Sequence, residues 1–324
     1  MDSSNSATID SKDFSEIIFE RPMFIRAYRS GRVERLGSME TLPPSLDPTT
    51  GVQSRDVDIN PSTLLSARLY LPPAAVSVRD GKLPVLIYFH GGGFYACSAS
   101  TAMYHNFLNS LASKADILVV SVDYRLAPEH PVPAAYDDAW EALQWVLAGD
   151  EPWLSNFGKL DRVFLAGDSA GGNIVHNVGI RLGREGMEME GALIVHAFFW
   201  GKTKIGGELE EKEGAVISVK DADKMWPFVC PGTIGLDDPW LNPLADDAPS
   251  LAGLGFRRAL VCVAEKDLLY ERGRVYYEKL KESGWSGEAE FIETEEEDHD
   301  FFLFKPESEK TEAFVNHLAS FINN

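Results

Sequence analysis

Cysteine and long apolar runs are both scarce in this chain. Three cysteines stand among 324 residues, at positions 97, 230 and 262, which is too few and too scattered for a disulfide framework or a zinc motif. Free thiols in a reducing compartment are therefore expected. No segment approaches the roughly 18 consecutive apolar residues that span a bilayer, so the sequence argues against an integral membrane protein.

Basic residues are outnumbered as well. The chain has 30 Lys and Arg against 50 Asp and Glu, a formal net charge of −20, and such a surface repels nucleic acid and anionic membranes. Neither is expected as a partner. Asp2, Asp10 and Asp13 precede any apolar run, whereas a secretory signal starts with positive charge and a transit peptide avoids acids. The expected location is cytoplasmic.

From residue 83 onward, apolar β-rich runs alternate with helical patterns. Near-continuous apolar runs indicate strands covered on both faces, as in a parallel sheet, and the alternation predicts an α/β fold. Residues 52–59 and 66–71 have the pattern of an antiparallel pair added at the edge. We expect one domain over residues 1–324. The predicted strands are 83–89, 117–124, 162–167, 192–199, 258–265 and 289–294, with helices at 136–147 and 271–284.

Two segments, residues 1–35 and 200–245, fit this alternation poorly. Long irregular insertions in a compact fold are usually functional lids or disordered linkers. The stretch MWPFVCPG, residues 225–232, is too apolar for a linker. A lid over a cleft is therefore the favoured interpretation of the second segment.

The stretch AGDSAGGNIVH, residues 166–176, places one serine among glycines, between an apolar run and a helical pattern. In a nucleophile elbow the serine occupies a sharp strand-to-helix turn, and flanking glycines let strand and helix approach where a Cβ would clash. The pattern alone is weak, because glycines flank a serine by chance in some sequences. Two further sites strengthen it and predict Ser169 as a nucleophile.

The first is His90-Gly91-Gly92-Gly93, which ends an apolar run. Acyl transfer creates an oxyanion that needs preorganised N–H donors, and glycines bring the backbone close to it. The amides of Gly92, Gly93 and Ala170 are the expected donors, although an ordinary glycine-rich turn has the same local sequence. His90 is expected to tie the loop down by hydrogen bonds.

The second is a histidine base with a carboxylate that holds its tautomer. His299 lies just beyond the last predicted strand and Asp267 follows the strand before it, so both are expected at the edge that carries the serine. The order Ser169, Asp267, His299 is that of α/β-hydrolases. A solvated residue in an acidic loop is the alternative for His299. Asp298 and Asp300 adjoin His299 and are not expected to point at its ring.

On these and further motifs the chain resembles the plant carboxylesterases of the hormone-sensitive-lipase-like group of α/β-hydrolases. The resemblance covers nearly the whole chain and rests on HGGGF (90–94), DYRLAPEHPVPAAYDD (123–138), GDSAGGN (167–173), AEKDLLYERGRVYYEKLKESGW (264–285) and DHDF (298–301). It implies the α/β-hydrolase fold, with a mostly parallel central sheet flanked by helices and a cap formed by the N-terminal segment and an insertion near 200–235. It also implies a triad of Ser169, Asp267 and His299 and an oxyanion hole of Gly92, Gly93 and Ala170.

Further expectations concern the cleft. Phe198, Phe199 and Trp200 end a predicted strand where it enters the proposed lid, and ligand sites gather at the carboxyl ends of parallel strands. At least one of them is expected to line the acyl pocket, with plain core packing as the alternative. The acidic run EEEDHD, residues 295–300, is denser than usual and can raise the pKa of His299. No metal or organic cofactor is expected.

Three function classes remain open under this resemblance. A serine carboxylesterase that hydrolyses small carboxylic esters through an acyl-enzyme is favoured, because all of its parts are present. Dehydratases and cyclases of specialised metabolism reuse the same pocket. Hormone receptors similar to the gibberellin receptor keep the serine but lack the histidine base, so His299 disfavours that class. The sequence leaves open which ester or specialised metabolite is the substrate, and whether the protein is a monomer or a dimer.

Overall fold

The computed structural model describes residues 16–37, 39–77, 82–210 and 214–324. The chain divides into two units, Met1–Met39 and Glu40–Asn324. No helix in the described ranges combines the length and the apolar character that crossing a membrane requires. Asp2, Asp10 and Asp13 lie outside the described residues.

The described part of the first unit is a small antiparallel sheet. Its strands are β1 (Ile17–Arg21), β2 (Ile25–Tyr28) and β3 (Val33–Arg35), in that order. Arg26 donates to Glu20 across β1 and β2 at 2.9 Å, and the Tyr28 hydroxyl donates to Glu34 at 2.8 Å. Cross-strand pairs of this kind stabilise small sheets. The sequence predicted no strands here, and a capping role for residues 1–35 stays a prediction.

The second unit is built on eight strands: β4 (Gln53–Asn60), β5 (Leu65–Leu71), β6 (Leu83–Phe89), β7 (Leu118–Asp123), β8 (Gly158–Asp168), β9 (Met189–Val195), β10 (Phe256–Ala264) and β11 (Glu288–Thr294). Their order across the sheet is β11-β10-β9-β8-β6-β7-β5-β4. The six strands from β6 to β11 run parallel, and β4 and β5 add an antiparallel edge. The expected mostly parallel α/β sheet and its antiparallel edge pair are confirmed.

Nine helices are described along the chain. They are α1 (Ala74–Ser77), α2 (Ala102–Ala115), α3 (Ala134–Ala148), α4 (Pro152–Phe157), α5 (Ala170–Arg184), α6 (Val219–Val229), α7 (Tyr270–Glu282), α8 (Phe301–Phe304) and α9 (Glu309–Asn323). Local chemistry fixes several ends. Ser218 and Ser308 accept amide hydrogen bonds at the starts of α6 and α9, which replaces partners that a helix start lacks. Gly149 ends α3 in the left-handed conformation at φ 70°.

One predicted strand is too long. The run 192–199 was expected to be extended throughout, but β9 ends at Val195. His196 adopts a left-handed conformation, with φ 41°, and a strand cannot continue through such a residue. The chain therefore leaves the sheet before Phe198, Phe199 and Trp200.

An aromatic layer anchors the last loop of the sheet. Phe302 of α8 packs against Phe107 of α2 at 4.7 Å between ring centroids and against Phe314 of α9 at 5.0 Å. All three rings are buried in the core, where each large aromatic contributes substantial apolar burial. Because α8 begins two residues after His299, this packing fixes the loop that carries the predicted base.

The insertion at 200–245 is tied to α7 by a buried ion pair. Arg272 donates to both carboxylate oxygens of Glu208 at 2.6 and 2.8 Å, and the two side chains are 6% and 0% exposed. Arg272 also donates to the Thr203 carbonyl at 2.6 Å. Breaking such a pair from one side leaves an uncompensated buried charge, so this contact holds the segment near 203–209 in place.

Candidate active site

Four loops meet at one edge of the large sheet, because β6, β8, β10 and β11 run parallel and end there. Ser169 directly follows β8, and the glycine-rich loop follows β6. Asp267 follows β10, and His299 follows β11. The three polar residues are buried, with exposed fractions of 5%, 3% and 4%. All of the predicted catalytic and oxyanion residues thus lie at the same edge.

Ser169 occupies a strained turn between β8 and α5. Its backbone angles are φ 51° and ψ −115°, a combination that costs a non-glycine residue free energy and concentrates at functional sites. The turn is held from both sides: the Ser169 amide donates to the Val195 carbonyl at 3.0 Å, and its carbonyl accepts from the Phe198 amide at 2.8 Å. A Cβ on Gly171 would collide with the Phe89 carbonyl, so the glycine permits the close approach of α5 and β6.

The glycine-rich loop presents unpaired amides next to this turn. Gly92 and Gly93 have φ of 103° and 61°, values that favour glycine. The neighbouring Gly91 amide is already used, donating to the Tyr104 hydroxyl at 2.9 Å and to Asp168 at 3.1 Å. Within the described ranges, the amides of Gly92, Gly93 and Ala170 have no hydrogen-bond acceptor. These three donors are the ones that the sequence predicts for an oxyanion.

His90 anchors the same loop. Its Nδ1 donates to the Gly91 carbonyl at 2.7 Å, and its ring stacks on Tyr124 with centroids 4.4 Å apart. The Tyr124 hydroxyl donates to the His90 carbonyl at 2.7 Å. Burial lowers the pKa of His90, so the ring is neutral at neutral pH. The contacts fit the expected structural role of this histidine.

His299 and Asp267 form a short buried hydrogen bond. Nδ1 of His299 lies 2.7 Å from Oδ2 of Asp267, and the other carboxylate oxygen accepts the Leu269 amide at 2.9 Å. Burial opposes the charged imidazolium, but the charges of Asp267 and Asp300 outweigh it, and the pKa of His299 lies well above its ordinary 6.5. The direction of this shift is the one that the acidic run predicted.

The expectation that Asp300 cannot point at the imidazole is wrong. Its Oδ2 lies 3.1 Å from Nε2 of His299. The reason is the left-handed conformation of Asp300, with φ 50° and ψ 33°. This conformation turns the chain so that the side chains of His299 and Asp300 lie on the same side of it. Asp298 behaves as expected, because its carboxylate accepts the His299 amide at 2.7 Å and not a ring hydrogen. Within the described residues, the Ser169 hydroxyl makes no hydrogen bond to His299.

A buried acidic network, which the sequence did not reveal, continues behind this pair. Asp168 is fully buried and accepts hydrogen bonds from the Tyr88 and Tyr104 hydroxyls at 2.6 and 2.7 Å. Burial, followed by the negative charge of Asp300, raises the pKa of Asp168 well above its ordinary value. The position of Asp168 beside the serine and that of Asp300 beside the histidine were the only signals available in the sequence.

His196 completes the network. Its Nδ1 accepts the Asp300 amide at 3.0 Å and lies 3.1 Å from Oδ1 of Asp300. Donor atoms of His196, His299 and Asp300 lie within 4.8 Å of one another, and they form the one group of potential metal donors found in the described ranges. Both nitrogens of His299, Nδ1 of His196 and both oxygens of the Asp300 carboxylate take part in these contacts, so we describe the group as a polar network.

The predicted pocket residues are all buried, at 0%, 2% and 0% exposure for Phe198, Phe199 and Trp200. Phe199 packs against Tyr276 at 4.8 Å and against His176 at 5.5 Å between centroids. The Trp200 indole donates to Asp223 at 2.8 Å. Phe198 contacts the elbow through its backbone, where its amide donates to the Ser169 carbonyl at 2.8 Å. An acyl-pocket role for the three residues stays a prediction.

Helix α6 of the insertion lies against the glycine-rich loop. Trp226 contacts Phe94 and Phe228 contacts Tyr95, at 6.1 and 6.3 Å between ring centroids. A Cβ on Gly93 would meet the Met225 sulfur at 2.7 Å. The apolar segment that the sequence singled out therefore borders the unpaired amides.

Known proteins share this architecture. Residues 86–303 match a family model described as alpha/beta hydrolase fold. The chain is 46% identical to probable carboxylesterase 7 of Arabidopsis thaliana, over 95% of this chain and 99% of that protein. It is 41% identical to a 2-hydroxyisoflavanone dehydratase of Glycyrrhiza echinata, over 98% of this chain and 99% of that protein. The structure of a hyperthermophilic esterase from Pyrobaculum calidifontis is similar, with a TM-score of 0.72, 28% identity, and coverage of 84% of this chain and 85% of that one.

Proposed function

Since this chain belongs to the α/β-hydrolase family and is a plant carboxylesterase of its hormone-sensitive-lipase-like group, we propose that Ser169, His299 and Asp267 are its nucleophile, base and orienting acid. The observation that carries this assignment is the 2.7 Å hydrogen bond between His299 Nδ1 and Asp267. Because this bond occupies Nδ1, Nε2 is the ring nitrogen left to act on the serine hydroxyl. A carboxylate on Nδ1 holds the tautomer that a general base requires.

The reaction follows from these positions. Nε2 of His299 takes the proton of the Ser169 hydroxyl as its oxygen bonds to the ester carbonyl carbon. The carbonyl oxygen gains negative charge and accepts hydrogen bonds from the amides of Gly92, Gly93 and Ala170. As the carbon–oxygen bond of the alcohol breaks, His299 returns the proton to the leaving oxygen. Water then attacks the acyl-enzyme by the same route and releases the acid and Ser169.

We extend the proposal to the walls of the cleft. Met225, Trp226 and Phe228 of α6 border the glycine-rich loop, so residues 200–245 would form a lid that excludes water from the acyl-enzyme. Phe198, Phe199 and Trp200 follow β9 at the same edge and are proposed to limit the acyl chain. The substrate class is a small carboxylic ester with an apolar acyl group.

A second reaction calls for a direct test, because a relative is named 2-hydroxyisoflavanone dehydratase. Elimination of water needs a base and a proton donor but no covalent nucleophile. Hydrolysis of an ester through an acyl-enzyme needs the serine oxygen. The two reactions therefore predict different consequences of removing the Ser169 hydroxyl.

The deciding experiment measures turnover of p-nitrophenyl acetate and of a 2-hydroxyisoflavanone by the wild-type chain, Ser169→Ala and His299→Asn. We expect ester hydrolysis in the wild type, and a loss of at least roughly 10⁴-fold in kcat for each variant. His317→Asn, at an exposed position, is the matched control and should retain full activity. The esterase assignment is wrong if Ser169→Ala keeps a tenth of the ester hydrolysis. It is also wrong if Ser169→Ala keeps its full ester hydrolysis and dehydrates the isoflavanone.

Location and assembly are proposed separately from the chemistry. A cytoplasmic location is supported by the free state of Cys97, Cys230 and Cys262, which is typical of a reducing compartment. The charge of −20 supports the expectation of no nucleic-acid or anionic-membrane partner. Cell fractionation tests the location, and size-exclusion chromatography distinguishes a monomer from a dimer. Neither outcome bears on the triad.

A further inference from the structure

The nitrogen that must act as the base is already in use. Nε2 of His299 faces Oδ2 of Asp300 at 3.1 Å, and within the described chain the Ser169 hydroxyl has no hydrogen bond to it. Both ring nitrogens of His299 thus face carboxylates, Asp267 on Nδ1 and Asp300 on Nε2. A ring that donates from both nitrogens is the imidazolium form, which cannot accept the serine proton.

We propose that Asp300 is a positioning residue that competes with Ser169 for His299, so that the enzyme can form its acyl intermediate only after the Asp300–His299 ion pair opens. This inference rests on the proposed function, because it assigns a control step to the same base. It goes beyond the triad in giving the residue after the catalytic histidine a role of its own. The pair makes the onset of activity depend on pH.

Several contacts hold Asp300 where it can act in this way. Its amide donates to Nδ1 of His196, which follows β9, and its Oδ1 lies 3.1 Å from the same nitrogen. Its negative charge raises the pKa of the buried Asp168 at the end of β8. The Asp300 side chain is 8% exposed, so water screens its charge little. The titratable groups that face this cluster from the neighbouring elements are Tyr88 of β6, Cys97 and Tyr104 around the start of α2, Asp168, His196 and Asp267.

The opening step needs only the loss of one proton. At low pH the proton on Nε2 is shared with Asp300 as an ion pair. When it leaves to solvent, the Nε2 lone pair and the Asp300 carboxylate repel each other, because both are then acceptors. The Asp300 backbone stays anchored, because its amide still donates to Nδ1 of His196 at 3.0 Å. Nε2 is then free to accept the hydrogen of the Ser169 hydroxyl, as the first step of acylation requires.

The test compares the pH dependence of kcat/KM for p-nitrophenyl acetate in the wild type, Asp300→Asn and Asp300→Ala. In the wild type, kcat/KM should rise with pH through an apparent pKa above the ordinary histidine value of about 6.5. Removing the Asp300 charge should move this limb to lower pH by at least about one pH unit. Below the limb, kcat/KM of the variants then exceeds that of the wild type by about ten-fold for each pH unit that the limb moves.

Asp298→Asn is the matched control, because it removes an equal charge next to His299 from a carboxylate that binds the backbone amide and not the ring. It should leave the limb within about 0.3 pH units of the wild type. A purely structural role for Asp300 would lower kcat/KM at all pH values without moving the limb. An unmoved limb in both Asp300 variants, or an equal movement in Asp298→Asn, overturns the proposal.

An NMR titration separates this proposal from the esterase assignment. The ring-proton resonances of His299 report its pKa in Ser169→Ala protein, with and without Asp300→Asn, and require no turnover. We expect a pKa above about 6.5 that falls by at least about one pH unit when Asp300 loses its charge. If the pKa of His299 falls in this way but the wild-type chain has no esterase activity, the proposed function is refuted and the role of Asp300 is not. Activity without the fall refutes the role of Asp300 alone. Should the Asn variant fail to fold, Asp300→Ala supplies the same comparison.

Discussion

Replacing Asp267 by Asn tests the triad most sharply, since it preserves shape and removes one charge. Oδ1 of Asp267 accepts the Leu269 amide at 2.9 Å, and Oδ2 accepts from His299 Nδ1 at 2.7 Å. An asparagine must keep its amide oxygen toward the Leu269 N–H, because two facing donors would repel. Its NH2 group then faces Nδ1, which has to become an acceptor. The ring proton moves to Nε2, and the base loses the lone pair that it needs.

The size of the loss can be worked out in two independent ways. Coulomb's law gives about 6 kcal/mol for unit charges at the observed 2.7 Å with an effective dielectric constant of about 20. The corresponding change in a serine protease triad lowers kcat by about 10⁴-fold, which is about 5.4 kcal/mol of transition-state stabilisation. We therefore expect kcat of Asp267→Asn on p-nitrophenyl acetate to fall by about 10⁴-fold, measured where wild-type activity is maximal.

The control for this variant is again Asp298→Asn, which removes a nearby charge without touching the ring. It should retain kcat within about three-fold of the wild type, because nearby charges off the ring act mainly through screened interactions. Thermal unfolding of both variants shows whether the fold survives. Retention of more than a tenth of the activity in Asp267→Asn, in folded protein, would refute the reasoning about the tautomer.

Two further predictions concern the elbow and the pocket. Gly171→Ala should abolish activity and lower the free energy of unfolding by about 2 kcal/mol or more, because its Cβ would collide with the Phe89 carbonyl. The control Gly253→Ala, with nothing within 4 Å of a new Cβ, should do neither. Chemical denaturation of both variants checks this, and equal stabilities would contradict it. Alanine at Phe198, Phe199 or Trp200 should change the preference between acetyl, butyryl and octanoyl esters at one position at least, while unchanged profiles in all three folded variants would show that these rings only fill the core.

The sheet and its edge were predictable because their causes are local. Strands such as 83–89 are near-continuous apolar runs, and the observed β6 has those bounds. The position of the site follows from the same fact, since parallel strands carry their following loops to one edge. The strained turn at Ser169 was also readable, because Gly167 and Gly171 are needed where strand and helix touch.

The rest depended on single backbone angles and on tertiary contacts. The early end of β9 follows from the left-handed His196, and no pattern in an apolar run marks such a residue. Left-handed backbone at Asp300 likewise decides which way its carboxylate points. The antiparallel sheet of residues 17–35 has short strands and mixed burial, so neither a two-residue nor a helical period stands out in its sequence.

The acidic run around His299 shows why a count of charges does not give the electrostatics of a site. Six residues, 295–300, include five acids, and all of them were candidates for raising the pKa of the base. Glu295 and Glu296 are exposed, where water and salt screen them, and Glu297 pairs with Lys305 at 2.5 Å. Asp298 binds a backbone amide. Among the five acids of this run, Asp300 is the one whose buried carboxylate faces the imidazole ring. It acts on Nε2, the nitrogen that the reaction requires.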